Sequence, residues 1–390
     1  MRSLARRIVS GTTALLVGGM SLAHAQTTYP NVKVNGRLQE QFYYFGNEDY
    51  AAAVGPQSNL FTRRARIEAR GQISENVTVF IQPSFEGGRN LSGVSTTCTS
   101  SAVPAGGGTP TITCRTTGRS GLRLRDAWID VRFSPATSAT ALYLRAGQEK
   151  RPYGRYELTS SNNLPSIERG AGQGLPGKAS NNLFDEAGFL SHDVGASLRV
   201  EHKLDDLRLV TLKVGVYNGQ GESLNDVNDK KSFGARGTVG LTPKIDVGAS
   251  WFAHDRIQGT DSSFTNYAWG ADASYGKPGD EGLYLVGDYM QGDDQTTSKA
   301  QMRGVSLVGA YNVRMTNPNS WLYAIEPAVR FDLADPNTDG DDDRVTTFTA
   351  VLGFYMSSKA QFRVGLEHQS FQASGAPSIT GVRSALTVNF

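Results

Sequence analysis

Three arginines stand at alternate positions in the stretch Arg64-Ala65-Arg66-Ile67-Glu68-Ala69-Arg70, with one carboxylate among them. Side chains two apart on a strand share a face. Arg64, Arg66, Glu68 and Arg70 therefore predict a positive track on one side, and Ala65, Ile67 and Ala69 an apolar one on the other. A guanidinium is a planar fork that donates two hydrogen bonds to a pair of oxyanion oxygens, so the chemistry of such a track is anion binding. A second basic cluster, Lys150, Arg151 and Arg155, opens a polar segment over 150–190 that also holds Arg169 and Lys178 beside Glu157, Glu168, Asp185 and Glu186. The residues alone leave two roles open. The bases meet passing anions, or they pair with Glu68, Glu149 and Glu157 to hold the segment against a wall.

The elements that must position these groups are strands. Leu142, Leu144 and Ala146 alternate with Tyr143, Arg145 and Gly147 just before the polar segment, which returns to a strand near Ser191. Similar alternation marks sixteen segments between Val32 and Phe390, each near the ~9 to 11 residues that cross a bilayer as a tilted strand. An arginine on a lipid face costs about 2–4 kcal/mol at the midplane, so the charged faces predict a water-filled interior. Arg132, Arg145, Arg199, Lys203, Arg236, Arg330, Arg363 and Arg383 are expected there, opposite Asp126, Asp130, Glu201, Asp246, Asp272, Glu326 and Glu367. In the segment LRLRDAWIDVRF the upstream half, with Leu122 and Leu124 against Arg123 and Arg125, runs in the opposite phase to Ile129, Val131 and Phe133. That change predicts a β-bulge or a strand running beyond the membrane.

After residue 26 no stretch reaches the ~18 to 20 continuous apolar residues of a spanning helix. A sheet crosses hydrocarbon only when it closes and leaves no edge, so the fold class expected is an all-β, 16-stranded antiparallel transmembrane barrel over 26–390, with 150–190 folded inward as a third external loop. Residues 1–25, with Arg2, Arg6 and Arg7 before an apolar run and Ala23-His24-Ala25 at its end, read as a secretory signal peptide. The formal net charge of +2 includes those three arginines and no acid from the leader, so the mature chain carries −1. Any preference for anions must come from local arrangement. Short turns such as Thr242-Pro243 alternate with longer polar loops such as 218–231. Tyr217, Trp251, Trp269, Tyr275, Trp321 and Tyr355 lie near strand ends, where amphipathic rings favour the membrane interfaces.

Three smaller features bear on function. The two cysteines, Cys98 and Cys114, share a Ser/Thr/Gly-rich loop; export favours their pairing, worth roughly 3 kcal/mol in the chain-entropy model. The loop DPNTDGDDD places Asp335, Asn337, Asp339, Gly340 and Asp343 at calcium-loop spacing, but Thr346 occupies the position of the closing glutamate. It reads as a weak calcium candidate beside the plainer reading of a solvated acidic loop. The histidines of the mature chain are scattered without metal-ligand spacing. A barrel lipase would need a serine–histidine pair on the lipid face, for which His254 is the sole candidate.

LFTRRARIEARG, LRDAWIDVRF, GQEKRPYGRYELTSSNNLPSIERG, VYNGQG and GARGTVGLTP resemble the phosphate-selective porin O and P family, with matches spread from about Arg63 to Pro243. The alternating terminal strand that stops on Phe390 resembles the signal read by the outer-membrane assembly machinery. The resemblance implies a homotrimeric porin in the outer membrane of a Gram-negative bacterium, surrounded by lipid and passing small anions, phosphate or polyphosphate among them, by passive diffusion. It implies no cofactor, no enzymatic activity and no nucleic-acid partner. Arg64, Arg66, Arg70, Arg132, Arg145, Lys150, Arg151 and Arg155 are the pore-lining residues expected from it and from the strand pattern. The mixed acids of the segment 150–190 keep a general nonselective porin as the alternative, ahead of a structural or adhesive barrel or a lipase.

Overall fold

Alternation along strands of 9 to 15 residues leaves each with one apolar and one polar face, and closing them into a barrel is the arrangement that leaves no unpaired edge. The computed structural model describes residues 29–390 apart from 47–56, 87–94, 101–111, 118–120, 172–178, 223, 225, 227, 259–261, 295–297 and 318–319. The expected leader and Lys178 lie outside the described residues. The barrel contains β1 (Asn31–Phe45), β2 (Ser58–Gln72), β3 (Val77–Glu86), β6 (Gly121–Arg132), β7 (Thr140–Lys150), β8 (His192–Lys203), β9 (Leu209–Tyr217) and β10 (Ser232–Gly240). It continues through β11 (Ile245–Gln258), β12 (Ser262–Tyr275), β13 (Gly282–Asp293), β14 (Gln301–Arg314), β15 (Ala324–Asp335), β16 (Val345–Tyr355), β17 (Ala360–Phe371) and β18 (Ile379–Asn389). A separate two-stranded ribbon, β4 (Ser95–Ser100) and β5 (Ile112–Thr117), rises between β3 and β6.

Each barrel strand pairs antiparallel with its neighbours, and β1 meets β18 to close the ring, from Arg37 opposite Asn389 to Phe45 opposite Gly381. Gly36 and Phe390 exchange backbone hydrogen bonds of 2.8 and 2.9 Å. The Phe390 ring fills the space where a Cβ on residue 36 would stand, so the terminal aromatic is seated on the first strand by a glycine. Connections at the end that holds both termini are short, as at 73–76, 241–244 and 356–359, whereas those at the other end include 151–191 and 218–231.

The faces sort as the alternation requires. On β1, Val34, Leu38, Phe42 and Tyr44 point outward and are exposed, while Arg37, Gln39 and Gln41 are buried on the inner side. Trp251 and Trp269 face outward too, packed on Tyr267 and Tyr289 respectively. Tyr217 and Tyr355, expected at the interfaces, turn inward instead. Tyr217 is fully buried against Phe252, and Tyr355 donates its hydroxyl to Glu326 at 2.8 Å. A phenol buried among side chains seeks an acceptor, and both find a carboxylate inside: the Tyr217 hydroxyl lies 3.2 Å from Glu149.

Two register shifts interrupt the ladder. Gln82 pairs with Asp126 but Pro83 with Leu124, leaving Arg125 as the extra residue; this bulge accounts for the phase change seen in the sequence of β6. The second shift was not anticipated. Gln39 pairs with Arg64 but Glu40 with Thr62, so Arg63 is the extra residue of β2. A bulge sets two residues against one and re-aims a side chain, and at both places it turns consecutive charged residues to the inner side.

Candidate functional site

Because of the bulge, Arg63 and Arg64 are both buried and both reach Glu168 of the long segment, at 2.7 and 3.1 Å. Arg66 pairs with Glu86, whose carboxylate also lies 3.5 Å from the Arg63 guanidinium and 3.7 Å from that of Arg125. Burial alone would push the Glu168 carboxyl up, but the Arg63 and Arg64 guanidiniums outweigh it and hold it well below the usual carboxylate range. The ladder read from the sequence is thus divided. Arg64 and Arg66 stand in buried ion pairs, while Arg70 lies over the Phe80 and Trp128 rings at 5.0 and 5.6 Å and is exposed.

The described residues of 151–191 touch inner-face side chains of strands far apart in the ring. A short helical turn, Arg155–Leu158, presents its first backbone N–H groups to Asp288 of β13: Arg155 N and Tyr156 N lie 3.0 and 2.7 Å from its two oxygens. Ser161 and Asn162 accept from Arg37 of β1. Arg330 of β15 donates to the carbonyls of Glu168 and Gly170. A second helix, Ser180–Glu186, sets Ser180 3.2 Å from Asp332 of β15 and packs Leu183 and Phe184 among Tyr153, Phe189, Phe252 and Met290. The basic residues at the start of the segment are engaged: Lys150 with Glu157 at 3.3 Å, Arg151 with Asp193 at 2.7 Å, and Arg155 with Asp272 at 2.6 Å.

A second group of cations follows the ring on β7 to β10. Arg199 of β8 stands directly opposite Lys213 of β9, which stands opposite Arg236 of β10. Arg145 of β7 lies 3.7 Å above the Trp128 ring, on the same pair of aromatic rings that carries Arg70, and Arg199 lies 4.3 Å above Tyr143. Arg155 joins this arc through Asp272, which it shares with Arg236. Apart from Glu201, beside Arg199, and Asp246, beside Arg155, the counter-charges sit deeper than the cations. Side-chain exposure is 17% for Arg145, 18% for Lys213 and 23% for Arg199, against 10% for Asp130, 3% for Glu149 and 2% for Asp272. Glu149 is enclosed by Arg145, Lys213, Ser197 and Tyr217, so the water-facing layer of this arc is predominantly positive.

The expected residues therefore divide by environment. Arg145, Lys150 and Arg155 are partly exposed, Arg64, Arg66 and Arg151 are buried, and Arg132 donates to the Pro135 and Ala136 carbonyls at the short-turn end. Lys213 and Arg63 were not singled out in the sequence. Lys213 was legible as the one charge in the apolar strand LVTLKVGVY, whereas Arg63 is on the inner face only because of the bulge. His254 is buried on the inner face with Ser232 Oγ 3.1 Å from its Nδ1, packed against Phe189 and Phe252. That placement removes the lipid-facing serine–histidine pair a barrel lipase would need. Asp335 is taken up by Arg303 at 2.8 Å, and Asn337 accepts from the Asp339 backbone at 3.2 Å. Among the described residues no group of three or more His, Cys, Asp or Glu side chains could hold a metal ion. In the ribbon the backbone register sets Cys98 opposite Cys114; the bond expected between their side chains lies outside what is described.

Solved structures that this chain resembles in fold include porins and other outer-membrane proteins. An anion-selective porin from Comamonas acidovorans has a TM-score of 0.58 at 11% identity, covering 93% of this chain and 100% of its own. The channel DcaP of Acinetobacter baumannii has a TM-score of 0.56 at 12% identity, covering 93% and 97%. OmpT of Vibrio cholerae, in its trimer form, has a TM-score of 0.51 at 10% identity, covering 93% and 99%. No curated protein matches in sequence. The family profile for phosphate-selective porin O and P matches residues 32–250, more than half of the chain. With a closed barrel of sixteen antiparallel strands and a charged inner wall, the chain belongs to the phosphate-selective porin O and P family, whose members are outer-membrane porins.

Proposed function

We propose that this porin passes small anions by passive diffusion, phosphate among them, and that the segment 151–190 folds into the lumen and narrows it. The observation that carries the anion preference is the depth order on β7 to β10, where Arg145, Arg199 and Lys213 meet water while Asp130 and Glu149, which balance them, lie beneath. An ion passing a charged surface responds to its nearest layer, and charges lining the narrowest region set selectivity. The hydrogen bonds from the segment to β1, β2, β13 and β15 support the inward fold.

A second reading, general diffusion without selectivity, is favoured by two acids that do reach water, Glu201 at 29% and Asp246 at 45% side-chain exposure. The test is the zero-current potential of the refolded protein in a planar bilayer under a KCl gradient, repeated with phosphate. A potential on the anion side, with chloride current reduced by phosphate, is the expected result; a potential near zero without block would make the general porin the correct reading.

Further parts of the reading are proposals of the same kind. The trimer form of the Vibrio cholerae neighbour supports a homotrimer. The cross-strand register of Cys98 and Cys114 supports their disulfide. Residues 1–25 would direct export, and Phe390 would be read by the assembly machinery.

A further inference from the structure

Two guanidiniums of the inner wall share one aromatic ring. Arg145 of β7 lies 3.7 Å from the centre of the Trp128 ring, and Arg70 of β2 lies 5.6 Å from it and 5.0 Å from Phe80, which stacks on Trp128 at 5.2 Å. Carbon atoms in van der Waals contact are about 3.5–4.0 Å apart, so Arg145 lies flat on the indole; an end-on approach would put a nitrogen and its hydrogen between them. Its edge is engaged. Nη2 donates to Asp130 at 2.7 Å and Nη1 to Glu149 at 3.3 Å, and Nε is sealed from water without a partner. The side chain is still 17% exposed. With one face on Trp128 and the edge on two acids, what meets the lumen is the other face of the guanidinium. Arg70 is the reverse case: it is exposed, and among the described residues its side chain makes no ion pair or hydrogen bond, so its fork of N–H donors is free.

An inorganic oxyanion is read by the edge of a guanidinium, and at Arg145 that edge is occupied. A bare face takes a flat π-system instead, because guanidiniums stack on aromatic rings. We propose, resting on the reading of this pore as an anion path, that Arg70 and Arg145 form a site for a planar aromatic carboxylate of the benzoate class. Its ring lies on the open face of Arg145, and its carboxylate takes two hydrogen bonds from the fork of Arg70. Trp128 sets the two cations side by side and holds both without using the donors that the ligand needs. Arg199 of β8, 4.3 Å over Tyr143 and 23% exposed, offers a second guanidinium laid on a ring one strand further along the wall.

The experiment is block of chloride current through the refolded full chain in a planar bilayer, by benzoate and by cyclohexanecarboxylate. The two acids share charge and ring size, and the saturated one is the more apolar, so hydrophobic contact alone would favour it. A cation–π contact at an exposed site is worth about two- to fivefold in affinity, so benzoate is expected to halve the current at a concentration lower by that factor. In Arg145→Lys, which keeps the charge and removes the flat face, the two acids should block alike. Trp128→Leu removes the ring that turns this face to the lumen and should lose the difference too; it carries the test should heat-modifiable mobility on gels show that Arg145→Lys does not fold. Equal block by both acids in the native protein, no block by either, or a difference that survives in the variants would each overturn the proposal. The zero-current potential separates the site from the anion path. A potential on the anion side with equal block keeps the path and removes the site, whereas a potential near zero with benzoate still favoured keeps the site and removes the selectivity.

Discussion

Replacing Arg145, Arg199 and Lys213 together by glutamine is expected to carry the zero-current potential through zero to the cation side. A unit charge about 7 Å from an ion in water contributes about 0.6 kcal/mol. Three charges removed, with the sum halved by screening at about 0.1 M salt, come to roughly 0.9 kcal/mol for each ion; the anion loses it and the cation gains it, so the anion-to-cation permeability ratio falls by about 1.8 kcal/mol, or roughly twentyfold. The removal also uncovers Glu149 and Asp130, which the three cations overlie, so the wall changes sign instead of becoming neutral. The measurement is the reversal potential in a tenfold KCl gradient, whose limit for a perfectly selective monovalent pore is about 59 mV. An unchanged potential would show that ions do not pass along β7 to β10.

Glu168→Gln is expected to release the long segment without dissolving the barrel. Arg63 and Arg64 are both buried on that single carboxylate, and breaking a buried ion pair by removing one partner costs about 3–5 kcal/mol. The strand ladder does not depend on it, since β1, β2 and β3 keep their backbone pairing. Single-channel recordings should show larger or flickering conductance, while heat-modifiable mobility stays that of a folded barrel. A quiet conductance at the native level would mean that Glu168 does not hold the constriction. The anchor should also persist in acid. Since the folded carboxyl is held well below its usual range, its contribution is complete above the unfolded value and is lost only as pH falls through the lower folded one. The difference in conductance between the native protein and Glu168→Gln is therefore expected to persist from neutrality down to about pH 4, the unfolded range of a glutamate, and its disappearance at pH 5 to 6 would contradict the assignment.

Alternation of apolar and charged residues, a property of the chain that needs no partner to be read, determined the strand count, the closed barrel, the inner placement of Arg236, Arg330 and Arg383, and the phase change in β6. The family motifs pointed to the same wall and to the segment after Lys150. What alternation does not contain is depth. Arg64 and Arg70 have the same type and the same parity, yet one is sealed on Glu168, from a segment about a hundred residues away, and the other lies over Phe80 and Trp128 in contact with water. The inner side of Arg63 depends on one extra residue in the register. The row Arg199, Lys213, Arg236 exists only through cross-strand pairing of three separate segments. Strand faces follow from local spacing two residues apart, whereas which charge meets water depends on what other strands and the long segment lay over it, and that was decided by the tertiary structure alone.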